Sequence, residues 1–177
     1  GADYIDTRRS WLELEVKYTP DAFNTTANGS FGAHGSVCNL IKNIVISTRS
    51  GDELCNINDF NLLQNILVPL QYGREWVDGP GQLMGFGGGC KNNTPTRFCI
   101  PMYVLAPLFG YGRLMPAMLM SGMRIELTWE NPKTAFKAVT GILSTPTEIE
   151  STYTISNPKF VLSSVQLSDS IQRALNE

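Results

Sequence analysis

Glu13 and Glu15 form the carboxylate pair in this chain whose spacing comes nearest to a known chemistry. Two residues apart on a strand, they would share one face at a separation of about 7 Å. That distance is of the order found between the two carboxyl groups of glycosidases. Alternating glutamates are also ordinary on the wetted face of a strand, where they favour solubility. We therefore interpret the pair as surface charge.

The single histidine, His34, lies in a glycine-rich segment close to Ser36. A serine nucleophile needs a base held by a third group inside a pocket, and the sequence offers neither. We expect a solvated loop histidine, so that replacing it with alanine leaves assembly and any hydrolytic activity nearly unchanged. One histidine also disfavours enzymes that gather several imidazoles around a metal.

The glycine and cysteine patterns point to packing rather than to ligands. The run Gly85–Gly89 lacks the Lys-Ser/Thr ending of a phosphate loop. None of the four cysteines forms the closely spaced pair typical of zinc sites. Cys90 and Cys99 flank a turn-rich segment and would form a disulfide if their strands pair, although buried free thiols are commoner without an oxidising signature. We expect no metal and no cofactor.

Composition limits the classes of partner. Charged residues make up 17% of the 177 residues and the net charge is −2, which gives no electrostatic basis for binding nucleic acid or acidic membranes. The arginines are scattered, whereas a nucleic-acid footprint is clustered. No apolar run approaches the about 20 residues of a membrane span. We expect one non-enzymatic domain, residues 1–177, with no membrane span and no sequence-specific nucleic-acid binding.

The elements that must position these residues are mainly strands. Apolar and polar residues alternate over Trp11–Tyr18 and Met123–Glu130, and further strands are predicted at Leu40–Thr48, Tyr153–Ile155 and Phe160–Leu167. Short strands joined by long loops predict an all-β antiparallel sandwich with one or two short helices. The residues that we expect in its core are Leu12, Leu14, Val16, Ile44, Ile46, Ile125, Leu127 and Phe160.

Two helices and two long loops complete the prediction. Asn58 or Asp59 caps a helix that ends near Leu70, and a second helix covers Ser168–Asn176. The apolar face predicted for the first helix consists of Phe60, Leu63, Ile66, Leu67 and Leu70. Long loops are predicted at Thr19–Ser36 and Tyr72–Thr96.

The order of these elements resembles the first jelly roll of double jelly-roll major capsid proteins, the hexon-like group of Polinton-type elements, adenovirus-like viruses and large DNA viruses. Tyr4–Tyr18 (YIDTRRSWLELEVKY) resembles the opening strand, and Val37–Leu54 (VCNLIKNIVISTRSGDEL) the strand pair after a glycine-rich loop. Ile100–Leu127 is similar to a proline-punctuated segment that leads into an alternating strand. Ser156–Leu175 resembles the closing strand and its short helix.

The resemblance implies a jelly-roll sandwich that is one of two in a longer viral capsid protein. Its partners would be further copies, assembled as trimers, and other capsid proteins of the virion, where these subunits enclose the genome in an icosahedral shell. Each trimer would contribute a pseudo-hexagonal building block. The alternative from another class is a secreted carbohydrate-binding sandwich, in which loop aromatics form a platform for sugars.

The candidate subunit interface consists of aromatic residues in or beside loops, some of which complete the core while others contact neighbours. They are Trp76, Phe86, Tyr103, Phe109 and Tyr111. We expect the Tyr72–Thr96 loop to expose Trp76, Val77, Leu83, Met84 and Phe86. Replacing Trp76 and Phe86 with serine would then weaken oligomers and spare the fold.

Overall fold

The computed structural model describes residues 3–20, 28–32, 35–110, 112, 114–136, 151–168 and 170–171. The described strands are β1 Asp3–Thr19, β2 Gly29–Ser30, β3 Ile41–Ser47, β4 Glu53–Ile57, β5 Gly89–Cys90, β6 Thr96–Pro101, β7 Leu114–Pro116, β8 Arg124–Trp129 and β9 Thr152–Gln166. The described α-helices are α1 Phe60–Asp78, α2 Met102–Leu105, α3 Ala117–Met120 and α4 Pro132–Ala135. The strands pair in antiparallel sheets, which confirms the predicted all-β antiparallel class.

The long strand β1 is the centre of the larger sheet. Strands β6 and β7 pair with its two halves, while β9 pairs along nearly its whole length. Because a strand has only two edges, β9 must lie on the side opposite β6 and β7. Among the described residues β9 has no second partner strand, so it is the outer strand of this part of the sheet.

The predicted register of β1 is confirmed. Leu12, Leu14 and Val16 are buried, whereas Glu13 and Glu15 lie on the opposite face. The alternation determines this outcome, because successive side chains of a strand point to opposite faces.

The smaller sheet has the order β4-β3-β8. Its central strand buries Ile44 and Ile46, as predicted. Ile125 and Leu127 of β8 face the same core but are only partly buried. Side chains from both sheets and from α1 join in one hydrophobic core, which makes the fold a layered sandwich.

The predicted burial of Phe160 is wrong. Ile100, Leu12 and Phe160 occupy one cross-strand row on β6, β1 and β9, so their side chains share the core-facing side of the sheet. Exposure rises along this row from 0% through 2% to 38%. The residue faces the side that the alternation predicts, but the core does not extend over the outer strand.

Irregular pairing between β1 and β9 is concentrated at two points. One extra residue of β9 lies between the pairs Glu13–Lys159 and Glu15–Ser156, where Asn157 has a φ of 52°. The other shift lies after Asp6, where Ser10 accepts a hydrogen bond from the Ser163 amide at 3.0 Å. A side chain thus replaces a missing backbone partner in the ladder.

The helix α1 is longer than predicted and its orientation differs. It continues to Asp78, past the predicted end near Leu70, with a kink at Gly73, whose φ of 67° suits glycine. Asp59 precedes the helix but makes no capping hydrogen bond through its side chain. The first part of the predicted Tyr72–Thr96 loop is therefore helical, and the 3-10 turn Pro80–Met84 follows directly. Of the predicted helix Ser168–Asn176, only Ser168, Ser170 and Ile171 belong to the described residues.

The face of α1 that packs on the core is not the predicted leucine-rich one. The buried residues are Phe60, Asn61, Gln64 and Val68. Leu63, Ile66 and Leu70 are instead exposed. Hydrophobicity alone predicted the wrong rotation of this helix, because two amides, Asn61 and Gln64, occupy inward positions that the pattern leaves outside the apolar face.

Candidate functional site

The carboxylate pair of β1 is part of a charged network on the outer face of the larger sheet. The Arg97 guanidinium lies 3.4 Å from a Glu13 oxygen and 3.1 Å from a Glu15 oxygen. The Lys159 ammonium lies 3.0 Å from Glu13, and the Asn157 amide donates to Glu15 at 3.0 Å. The hydrogen bond from Arg97, assisted by that from Asn157, lowers the pKa of Glu15 below its usual range. A carboxylate held as an anion is a poor proton donor, which argues against a role as a general acid. The ion pairs and hydrogen bonds of the network instead connect the neighbouring strands β6, β1 and β9.

The glycine run before β5 serves close packing. A side chain at Gly85, which has a φ of 78°, would meet the Phe98 ring at 2.6 Å, and one at Gly89 would collide with the backbone oxygen of Gly29. Gly89 allows β5 to approach β2, and together with Gly87 and Gly88 it lines an open cleft of about 420 Å³ between Asn28 and Lys91. Backbone approach, rather than phosphate binding, explains the composition of this segment.

The four cysteines lie in the described part of the chain and are free thiols. Burial raises the pKa of Cys38 and of Cys90 to about 12, which makes both poor nucleophiles. No group of three or more histidine, cysteine, aspartate or glutamate side chains that could hold a metal occurs within the described ranges. His34 lies outside them.

The five candidate interface aromatics are placed differently from one another. Phe86 and Phe109 are buried in the core, whereas Trp76 and Tyr103 are half-buried. Tyr111 lies outside the described residues. The predicted exposure of Met84 and Phe86 is wrong, because both have relative exposures of 2% or less. The amide of Phe86 bonds to the Gly81 carbonyl at 3.2 Å, and this turn directs its ring into the core.

A cleft with aromatic walls lies between α1 and the segment after β6. Tyr72 stacks on Trp76 with ring centroids 4.8 Å apart and meets Tyr103 edge-on at 5.8 Å. The Trp76 indole donates to the Tyr103 hydroxyl at 3.2 Å. The cleft has a volume of about 320 Å³ and is also lined by Gln64, Leu67, Gln71, Val104, Pro107 and Gly110. Burial, followed by the neighbouring Tyr103, raises the pKa of Tyr72 above its ordinary value. The lining of the Tyr72–Tyr103 cleft contains no acidic or basic residue, and Arg8 is the charged residue near Tyr72.

Among the described residues, several large apolar side chains are exposed, and nine of them form three groups on different elements. The α1 ridge consists of Leu62, Leu63, Ile66 and Leu70. The α3 patch consists of Leu114, Met118 and Leu119, and the β9 rim of Phe160 and Leu162. In the α3 patch Met118 reaches an exposure of 87%. Exposed apolar side chains that lie close together in the chain are candidates for contact with another molecule.

The sequence did not predict that the residues of these three surfaces would be exposed. Phe60, Gln64 and Val68 also follow helical spacing, which was the one available signal for the true rotation of α1. The α3 patch falls in the proline-punctuated segment Ile100–Leu127, for which the sequence predicts no exposed surface. Nothing local in the sequence distinguishes apolar residues that pack inside the chain from those that face outward.

Comparisons with protein-family models, with curated proteins and with solved structures gave no match. Within the described ranges, none of the helices combines the length and the apolar character that crossing a membrane requires.

Proposed function

We propose that this chain is a structural domain of a viral major capsid protein, which self-assembles through trimers into an icosahedral shell around the genome. The observation that carries the proposal is the presence of three exposed apolar surfaces, the α1 ridge, the α3 patch and the β9 rim, on one small sandwich. The antiparallel fold and the order of its elements, which resemble the first jelly roll of double jelly-roll capsid proteins, support the same reading.

Separate apolar surfaces favour a shell subunit over a simple dimer. The α1 ridge belongs to the helix that packs on β3, whereas the α3 patch and the β9 rim flank opposite edges of β1. A subunit in a closed shell has neighbours on several sides, so more than one face must lose water on assembly. A dimer needs only one such face.

The mechanism of this function is association without covalent chemistry. Apolar surface removed from water supplies about 25 cal/mol per Å², and this gain must exceed the entropy lost when subunits associate. The ion network around Arg97 keeps charge on the outer face of β1, away from the core. In this proposal, the partners are copies of the chain and other capsid proteins of the virion.

Sedimentation velocity on the protein, expressed as its natural gene encodes it, tests the proposal. We expect trimers or larger particles whose proportion rises with concentration. A monomer across the accessible concentrations would contradict it.

The alternative function, carbohydrate binding in a secreted sandwich, has one observation in its favour. The half-buried Tyr72, Trp76 and Tyr103 lie at or beside a neutral cleft, and aromatic rings with nearby amides suit sugar rings. The buried Phe86 and Phe109 cannot belong to such a platform. Glycan-array binding by a monomeric species would favour this alternative over the capsid proposal.

A further inference from the structure

The rotation of α1 is fixed by specific contacts, so the exposure of its ridge is built into the fold. The Asn61 amide donates to a Glu130 carboxylate oxygen at 3.0 Å, and the Gln64 amide donates to the Val104 carbonyl at 2.9 Å. Phe60 is fully buried on the same face. Turning the helix to bury the ridge would break both hydrogen bonds and draw Phe60 into water, each of which is costly.

The ridge has the properties of a contact surface for another apolar surface. Ile66 is 61% exposed and Leu70 is 76% exposed. No charged residue occurs in the sequence between Asp59 and Arg74, so no charge on this stretch would attract an ionic partner or repel a second copy. Together with Leu62 and Leu63, these side chains leave an apolar area on the order of a few hundred Å² in water, the range in which patches on monomers are often functional.

The Tyr72–Tyr103 cleft lies immediately beside the ridge, because Leu67 of α1 forms part of its lining. Its volume of about 320 Å³ is several times the roughly 30 Å³ that one water occupies. An aliphatic side chain therefore fits inside. A protruding apolar ridge and a neutral hole on one face are self-complementary, as a two-fold contact between identical chains requires.

We propose that the α1 ridge is a contact between two copies of this chain, in which ridge residues of each copy enter the Tyr72–Tyr103 cleft of the other. This inference rests on the self-assembly proposed above and names one surface through which it occurs. Two helices packed in this way lie about 8–10 Å apart. A standard interface buries about 800 Å² from each partner, so in this contact the ridge and the cleft form the centre of a larger interface.

The test compares two double variants of the protein expressed as its natural gene encodes it. Ile66→Glu with Leu70→Glu places two charges on the ridge, whereas Leu54→Glu with Leu83→Glu places them at exposed leucines outside the three surfaces. We expect the ridge variant to associate at least about tenfold more weakly than wild type, because the new charges would be desolvated in the contact. The control variant should associate like wild type.

If either double variant fails to fold, or if both assemble poorly, cysteine cross-linking tests whether the ridge contacts the cleft of a second copy. Ile66→Cys and Leu70→Cys are each combined with Gln71→Cys, which lines the cleft, with Leu83→Cys and wild type as controls. Because ridge residues of one copy enter the cleft of the other, at least one combined variant should give a disulfide-linked dimer while the controls do not.

The outcomes separate this inference from the proposed function. If wild type and the ridge variant assemble equally and no ridge cysteine cross-links, the ridge is not a contact between copies, although self-assembly stands. If wild type is a monomer at all concentrations, the proposed function fails and the inference fails with it.

Discussion

Tyr153 joins the start of β9 to the end of β8. Its hydroxyl donates a hydrogen bond to the Glu130 carbonyl, and its ring packs edge-on against Phe136 at 5.7 Å. Burial, followed by the nearby Glu130 carboxylate, raises the pKa of Tyr153 to about 12 from an ordinary value of 10.0. The neutral hydroxyl is thus the form that the folded state favours.

We predict that Tyr153→Phe lowers the free energy of unfolding by about 1 kcal/mol at pH 7, the worth of one hydrogen bond. Because the folded pKa is raised, the contribution of Tyr153 is complete below pH 10 and is lost as the pH rises through about 12. Urea unfolding at several pH values checks this. The wild type should lose more stability across that window than the variant, and equal losses would contradict the assignment.

The cysteines differ in access to solvent in a way that labelling can measure. Cys38 and Cys90 are buried, whereas Cys55 and Cys99 are partly exposed. Burial also raises the pKa of Cys55 and of Cys99 above the ordinary value of a thiol. The reactive thiolate should therefore be most available at the latter two positions.

We predict that a thiol reagent at pH 8 modifies two cysteines of the native protein quickly, Cys55 and Cys99, and the other two only after denaturant is added. Mass spectrometry of peptides identifies the order. A total of two reactive thiols in denaturant without reductant would instead indicate the Cys90–Cys99 disulfide.

Long-range partners explain why single side chains were only partly predictable. The strand pattern predicts that Glu13 and Glu15 face water, and it does so from residues within the same strand. Their partner Arg97 is 82 residues from Glu15 in the sequence. Only the pairing of β1 with β6 brings these groups together, and no local pattern encodes that pairing.

Among the elements, α1 departs most from expectation. Its existence and its start follow from helical spacing, but its rotation follows from the hydrogen bonds of Asn61 and Gln64. Hydrophobic patterning predicts which face is apolar, and a helix that contacts another subunit can direct that face away from its own core.

We predict that Phe60→Ala destabilises the fold by about 3–5 kcal/mol, the usual cost of a cavity at a buried phenylalanine. Ile66→Ala, in the same helix, should change the free energy of unfolding by no more than about 0.5 kcal/mol, because Ile66 is largely exposed. Chemical denaturation of the dilute, unassembled protein measures both. A loss at Ile66 as large as that at Phe60 would mean that the helix has the predicted rotation instead, which buries both residues.

The segment around Phe86 behaves as core and not as a loop. Phe86 packs edge-on against Trp76 with ring centroids 6.2 Å apart, and Gln82 donates to the Phe86 carbonyl at 3.3 Å. Serine at positions 76 and 86 should therefore destabilise the fold, contrary to the prediction from the sequence.

We predict that Phe86→Ala lowers the free energy of unfolding by about 3–5 kcal/mol. Leu83→Ala, three residues earlier and well exposed, should leave it within about 0.5 kcal/mol of wild type. Thermal unfolding of both variants at the same concentration provides the comparison. Equal melting temperatures for Phe86→Ala and wild type would show that Phe86 is not part of the core.

The architecture was more predictable than its surfaces. Alternation in β1, β3 and β8 predicted the sheets and most of their core, because inward and outward positions repeat every second residue. The prediction that Phe160 is buried failed because its burial depends on what covers the outer strand β9. Its position in the alternation determines only which face of the sheet it occupies. The exposure of the α1 ridge and of the α3 patch was not predicted for the same reason. The identity of an apolar residue does not show whether its own chain or another chain covers it.

These uncovered surfaces are the reason to regard the chain as part of an assembly. The most direct measurement is electron microscopy of the protein expressed as its natural gene encodes it, over a range of concentrations and salt. We predict closed particles of uniform diameter built from trimeric units, with the loss of these particles when the exposed apolar surfaces are made polar. Only dispersed monomers under every condition, from protein shown by circular dichroism to be folded, would contradict the proposal that this sandwich is a shell subunit.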